Sequence, residues 1–312
     1  MRRFALANFF LSGIFITTLT HAQQSADKEL IRDTVSLVKE VKEFEKTLGI
    51  EPTEALTRSS QEKPATSMLW LWLQKMGTIA LRTPMDIRLG LRFSTTREQL
   101  PLENLYETGK YSIYYRQGNE FSDPHAVTTV DFARESAFTR VMIILHEDLH
   151  GDQNFALPWE TEESLVTPLS LLAALQFFKH KGDDVNIAQA RAAIEERSKL
   201  GRELNDVVQE AELLFRTRPL NEARIKLIEL VHSSKIYSRW YKFQMTNQDD
   251  ATALEAKISH DLAYYKYFDR IVSLDRRMGD LKTLIQALKI IPRSMDMEEV
   301  EKYVRELEKR YE

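Results

Sequence analysis

The sequence contains no cysteine, and among 312 residues only ten glycines, nine prolines and seven histidines. Without cysteine there are no disulfides and no thiolate metal ligands, and anchoring through a lipid-modified cysteine is excluded. Scarce glycine and proline leave few places where a helix must stop. Neither sign of charge dominates: 43 basic and 47 acidic residues give a net charge of −4. The charges are interspersed rather than clustered, so the chain carries no electrostatic footprint for a nucleic acid. After the first twenty residues, no segment is apolar enough over enough length to span a bilayer.

The N-terminus reads Met1-Arg2-Arg3, an apolar run from Phe4 to Leu19, then Thr20-His21-Ala22. A basic start, an apolar middle and a small residue at the end describe a secretory signal peptide. Cleavage is expected after Ala22, leaving residues 23–312 as a single, mostly helical domain in the periplasm or outside the cell, with no stable membrane span. The other reading is an uncleaved anchor, but the run is short for a span and includes Asn8.

Periodicity predicts an amphipathic helix over 26–48 that ends at Gly49, with a loop over 52–66. The dense apolar run Met68–Leu81, with Trp70 and Trp72, reads as a buried helix, and 95–106 as another, interrupted by Pro101. Aromatic-rich Tyr111–Arg116 reads as a strand, Asp123-Pro124 as a turn, and Ala126–Val130 as a second strand. Phe132–His150 reads as one helix with Phe138, Val141, Met142, Leu145 and Leu149 on its core side. Beyond Pro158, helices are expected near 160–180 (with Pro168 inside), 185–216, 219–245, 250–278, 280–290 and 296–311. The expected fold is mainly α with a small β-sheet, an α+β chain.

The chemistry concentrates at His146-Glu147-Asp148-Leu149-His150. Residues four apart on a helix share a face, so both imidazoles converge on one point with Glu147 on their flank. That is the His-Glu-x-x-His arrangement, in which two histidines hold Zn²⁺ and the glutamate takes a proton from water. A catalytic zinc usually takes a third protein ligand and keeps one position open. Gly151 and Pro158 allow the chain to turn back, which offers Glu160, Glu162 and Glu163 as candidates. Glutamates at a helix start also serve as ordinary compensation of the helix dipole, so spacing alone does not choose among them.

His146-Glu147-x-x-His150 followed by Glu163-Ser164-Leu165-Val166 resembles the gluzincin class of metallopeptidases. It is most similar to a family of bacterial predicted zinc aminopeptidases, which carry a Glu-Ser pair at a similar short distance after the second histidine. The resemblance implies a zincin-like core, Glu163 as third ligand beside His146 and His150, Zn²⁺ as cofactor, Glu147 as catalytic base and a peptide substrate. A second donor to the oxyanion is expected at Tyr264, with Tyr265 in reserve; core packing is the alternative role for both. Thr167, one turn after Glu163, could orient a ligand or face the core. His260 is near Tyr264 by helical spacing, whereas His125, His180 and His232 read as turn, helix-end and surface groups.

The chain departs from the family in several places. The family often carries cysteines and an Arg-Gly-Tyr-Phe segment where this chain has Gly90-Leu91-Arg92-Phe93. Glu162 stands where an asparagine is common, Asp148 where a small or apolar residue is common, and Asp249-Asp250 at the position of an asparagine pair. The Gly-x-Met-x-Asn pattern of well-known aminopeptidases is absent, so no residue is assigned to a substrate's free amine. The readings left open beside an aminopeptidase are a zinc endopeptidase and a non-catalytic helical binding protein of the envelope.

Overall fold

The structure is a computed structural model that describes residues 9–60, 67–81, 93–94, 109–119, 126–245 and 248–312. Helix α1 runs from Phe9 to Thr47, straight through the expected cleavage point, and Gly49 ends it at φ 77°. Three strands follow: β1 (Ser67–Lys75), β2 (Phe93–Ser94) and β3 (Tyr111–Asn119), ordered β2-β1-β3 and antiparallel. Then come α2 (Val130–Arg134), α3 (Ala137–Gly151), α4 (Trp159–Lys181), α5 (Asp184–Thr217), α6 (Leu220–Ser233) and α7 (Tyr237–Gln244). The chain closes with α8 (Asp250–Tyr265), α9 (Phe268–Met278), α10 (Leu281–Lys289) and α11 (Met297–Arg310). The mainly helical reading with a small sheet holds. No helix among the described residues is long and apolar enough to cross a membrane.

Several local expectations fail. Residues 67–75 form a strand, not the buried helix expected over Met68–Leu81. Leu69, Leu71 and Leu73 alternate with Trp70 and Trp72, and a period of two serves a pleat better than a helix. The strand pairs with β3 along its whole length, from Ser67 opposite Asn119 to Lys75 opposite Tyr111. Residues 126–130 do not form a strand either. Only an isolated parallel bridge joins Ser59 to Thr128, and Thr129 instead caps α2 by accepting from the Phe132 amide.

The single helix expected over 132–150 breaks at Glu135 and Ser136, both extended, where the Ser136 hydroxyl accepts from the Thr139 amide and starts α3. Serine does more for a helix as its cap than in its interior. The helices expected over 219–245 and 250–278 are each two. At the first break, Glu203 of α5 accepts from the amides of Ile236 and Tyr237 and caps α7. The expectations for 95–106, Asp123-Pro124 and His125 lie outside the described residues, as do 61–66 of the predicted loop and 90–92 of the departure segment.

The core forms one contiguous cluster from Val38 to Leu307. Helix α4 is its hub: it packs against α3, α5, α8 and α9 and also meets α1, α10 and α11. Pro168 lies within α4 without ending it, and Gly182, at φ 67°, closes the helix in the left-handed conformation that glycine tolerates. Helix α8 lies against β1, β3, α4 and α5 and is buried along nearly its whole length, charged residues included. Glu255 accepts from Arg224 Nε at 2.8 Å and from the Gly77 amide at 3.1 Å. Lys257 pairs with Asp261, and His260 Nδ1 lies 3.1 Å from the same carboxylate.

Candidate metal centre

Helix α3 presents its apolar face, Phe138, Val141, Ile144, Leu145 and Leu149, to the core. That burial fixes its rotation and turns His146 and His150 outward together. After Gly151 the chain reverses around Asp152, whose side chain accepts from the Asn154 amide at 2.8 Å while its carbonyl accepts from the Phe155 amide at 2.9 Å. Phe155 and Leu157 are buried and anchor the turn. Helix α4 therefore starts beside the end of α3, with Glu160 and Glu162 in its first turn and Glu163 next.

Three donor groups meet at this corner. His146 Nε2 and His150 Nε2 are 3.1 Å apart. Glu163 straddles them, with Oε2 3.4 Å from His146 Nε2 and Oε1 3.5 Å from His150 Nε2. His146, His150 and Glu163 are the group that could hold a metal ion among the described residues. A tetrahedral ion bound at about 2.0–2.1 Å keeps its ligands about 3.3 Å apart; the two imidazole nitrogens meet that spacing, and one donor atom from each of the three side chains lies within 4.8 Å of the others. Glu163 Oε2 is buried and accepts no hydrogen bond from any described residue. The His146 ring at 3.4 Å, or a cation between the two, offsets the cost of burying that oxygen. The two imidazole side chains are 20% and 21% exposed, so the corner is sheltered yet open to a ligand.

The sequence did not foresee what Glu162 does. Its Oε1 lies 3.3 Å from His150 Nδ1. A carboxylate that accepts a hydrogen bond from one ring N–H keeps the proton on that nitrogen and leaves the other nitrogen with a lone pair for a metal. Glu162 is thus placed to orient the His150 ring, and Glu163 belongs to the group that could hold an ion. Its position beside Glu163 was the available signal, but register alone does not say which of two adjacent carboxylates points where.

The electrostatics follow from crowding carboxylates around two rings. Burial raises the Glu147 carboxyl above its ordinary range, against the lowering pull of His146 and His150. Burial works to lower His150, but contacts with Glu162 and Glu163 outweigh it and push the ring up to about 10. Glu163 would likewise rise on burial, yet the two adjacent imidazoles hold it well below the usual carboxylate range. The corner favours positive charge, whether a proton or a metal ion.

The remaining predicted residues separate. Tyr264 is half-buried, its ring 5.1 Å from His260, which also stacks on Trp72 and Tyr114 at 5.5 and 5.0 Å. Its helix, α8, packs on α4. Tyr265 faces the core between Trp240 and Phe268. Thr167 is buried and its hydroxyl has no hydrogen-bond partner among the described residues. Asp249 caps α8 through the Thr252 amide, and Asp250 accepts from Tyr241 and meets His232, so this pair has structural work in the chain itself. Beside the metal corner lies an open cleft of about 900 Å³, lined by 51–55 and Arg58 on one side and by Glu147, His150, Gly151 and Gln153 on the other. No protein-family model, curated protein or solved structure matches the chain.

Proposed function

We propose that the chain is a zinc-dependent peptide hydrolase of the bacterial envelope, with aminopeptidase as its activity. The reading is carried by one observation: two imidazoles and one carboxylate whose donor atoms gather within 4.8 Å of one another, where three ligands can share one ion. Beside them stands a glutamate whose carboxyl burial raises, and an open cleft of about 900 Å³ adjoins it. The basic and apolar N-terminus supports secretion.

In this reading His146, His150 and Glu163 hold the metal, and Glu162 keeps the His150 ring in the tautomer that binds it. Zinc, when bound, supplies Lewis acidity and an open coordination position. Glu147 accepts the proton of the attacking water at its carboxylate and returns it to the leaving amine. A raised carboxyl suits that exchange, because an acid–base group works best with its pKa near the working pH. Tyr264 donates its phenolic hydrogen to the oxyanion.

The test is metal content and peptide hydrolysis by the purified chain, with amino-acid anilides run beside blocked, internally quenched peptides. Zinc at one per chain with anilide cleavage is expected. Cleavage of blocked peptides alone makes the enzyme an endopeptidase. Protein that holds zinc and cleaves neither substrate is a binding protein.

A further inference from the structure

The residue after the metal motif approaches a neighbouring segment more closely than a side chain allows. A Cβ added at Gly151 would lie 2.2 Å from Thr53 Cγ2. The segment 51–53 is pressed flat against α3, and two carboxylates hold it there. The Glu51 amide donates to Asp152 Oδ2 at 2.9 Å and the Thr53 amide to Asp148 Oδ1 at 3.2 Å, while the Thr53 hydroxyl also donates to Asp148. The spacing explains the match. Alternate residues of an extended chain present their amides to one side about 6.6 Å apart, and one four-residue step of a helix rises about 6 Å. Asp148 and Asp152 stand four apart and capture residues two apart.

Both carboxylates are buried and charge-matched from distant helices: Lys42 of α1 pairs with Asp148, and Lys289 of α10 pairs with Asp152 and also donates to the Gly49 carbonyl. The far end of the segment is pinned too. Leu56, at φ 63°, occupies a left-handed conformation that costs a leucine about 1–2 kcal/mol. It is held by its amide on the Ala126 carbonyl and by the Thr128 hydroxyl on its own carbonyl.

At about 100° per residue, Glu147 and Gly151 lie between the His146/His150 face and the Asp148/Asp152 face of α3. The metal therefore borders one side of the cleft floor and the clipped segment the other. We propose that residues 51–54 are the substrate-contacting wall of the cleft. Asp148 and Asp152 are then positioning residues that set this wall in register with Glu147 and the metal ligands. The proposal rests on the hydrolase reading and assigns a job to Asp148, the buried carboxylate inside the motif.

Gly151→Ala drives the wall outward. Gly151→Ala/Thr53→Ser removes the obstructing Cγ2, keeps the hydroxyl on Asp148 and lets the wall return. In amide hydrogen exchange, Glu51 and Thr53 should lose protection in the single variant and regain it in the double. With one zinc per chain throughout, KM for a peptide should rise about tenfold in Gly151→Ala with kcat nearly unchanged, the signature of lost binding shared by ground and transition states. The double variant should restore it, a rescue that general destabilisation does not give. Asp152→Ala removes the Glu51 acceptor without adding bulk and should raise KM in the same way. An unchanged KM with both amides exposed overturns the wall in an active enzyme. A wild type that binds zinc and hydrolyses no peptide overturns the hydrolase reading and the wall together, while the exchange data still judge the clip.

Discussion

Two regions of this molecule bury charge, and they do so in opposite ways. Along α8 each buried charge is met from within the chain: Lys257 by Asp261, and Glu255 by Arg224. At the α3–α4 corner, Glu147, Glu162 and Glu163 surround two imidazoles, and contacts with Glu162 and Glu163 push the His150 ring up to about 10. The first arrangement closes on itself and serves as scaffold. The second sets three carboxylates against two imidazoles, and it opens onto a cleft. Buried charge alone does not mark a site; the imbalance does.

The largest expected effect tests the unmatched corner. Glu147→Gln should lower kcat by roughly 10²–10⁴-fold, with zinc content by elemental analysis unchanged. A loss of zinc along with activity would move Glu147 from proton transfer to metal binding. Next comes the matched region. Lys257→Met strips the buried Asp261 of its ammonium partner, leaving the His260 ring at 3.1 Å, and should cost about 3–5 kcal/mol in urea unfolding. Lys257→Met/Asp261→Leu should recover most of that loss, because the cost lies in the orphaned charge. A smaller effect separates the two adjacent glutamates. Glu162→Gln should weaken zinc affinity by about 10–100-fold in a competition titration with a chelator, and Glu163→Gln should weaken it more. Equal losses would make Glu162 a ligand as well.

A separate effect, read only against pH, concerns Glu45, which belongs to neither arrangement. It is buried on α1, and burial with the neighbouring Asp148 pushes its carboxyl up to about 10. The folded chain therefore holds it protonated at neutral pH, whereas the unfolded chain ionises it above its ordinary value near 4.5. Its contribution to stability is complete below that value and is lost as pH rises toward 10. Glu45→Gln should flatten this slope between pH 5 and 9 and stabilise the protein at the alkaline end, read as the urea midpoint against pH.

The metal corner was legible in the sequence because a four-residue step on a helix is a geometric statement: His146 and His150 had to face one way. Glu163 was legible only through the resemblance, since spacing left three glutamates open. The helices beyond Pro158 were legible from period and sparse breakers, though Glu203 capping α7 from α5 was not, being a contact between distant segments. The strand at 67–75 was misread because an unbroken apolar run looks alike as a buried helix or a buried strand, and partner β3 chooses between them. Asp148 and Asp152 were invisible for the same reason. Their meaning lies in Glu51 and Thr53, about a hundred residues earlier, and no local pattern carries that.

The Lys289 ammonium touches both the Gly49 carbonyl, two residues before the clipped segment, and the carboxylate that turns the chain between α3 and α4. His146, His150 and Glu163 all precede residue 164, yet this counter-charge comes from the far side of the sequence, and a chain truncated before Lys289 would leave Asp152 without its ammonium partner.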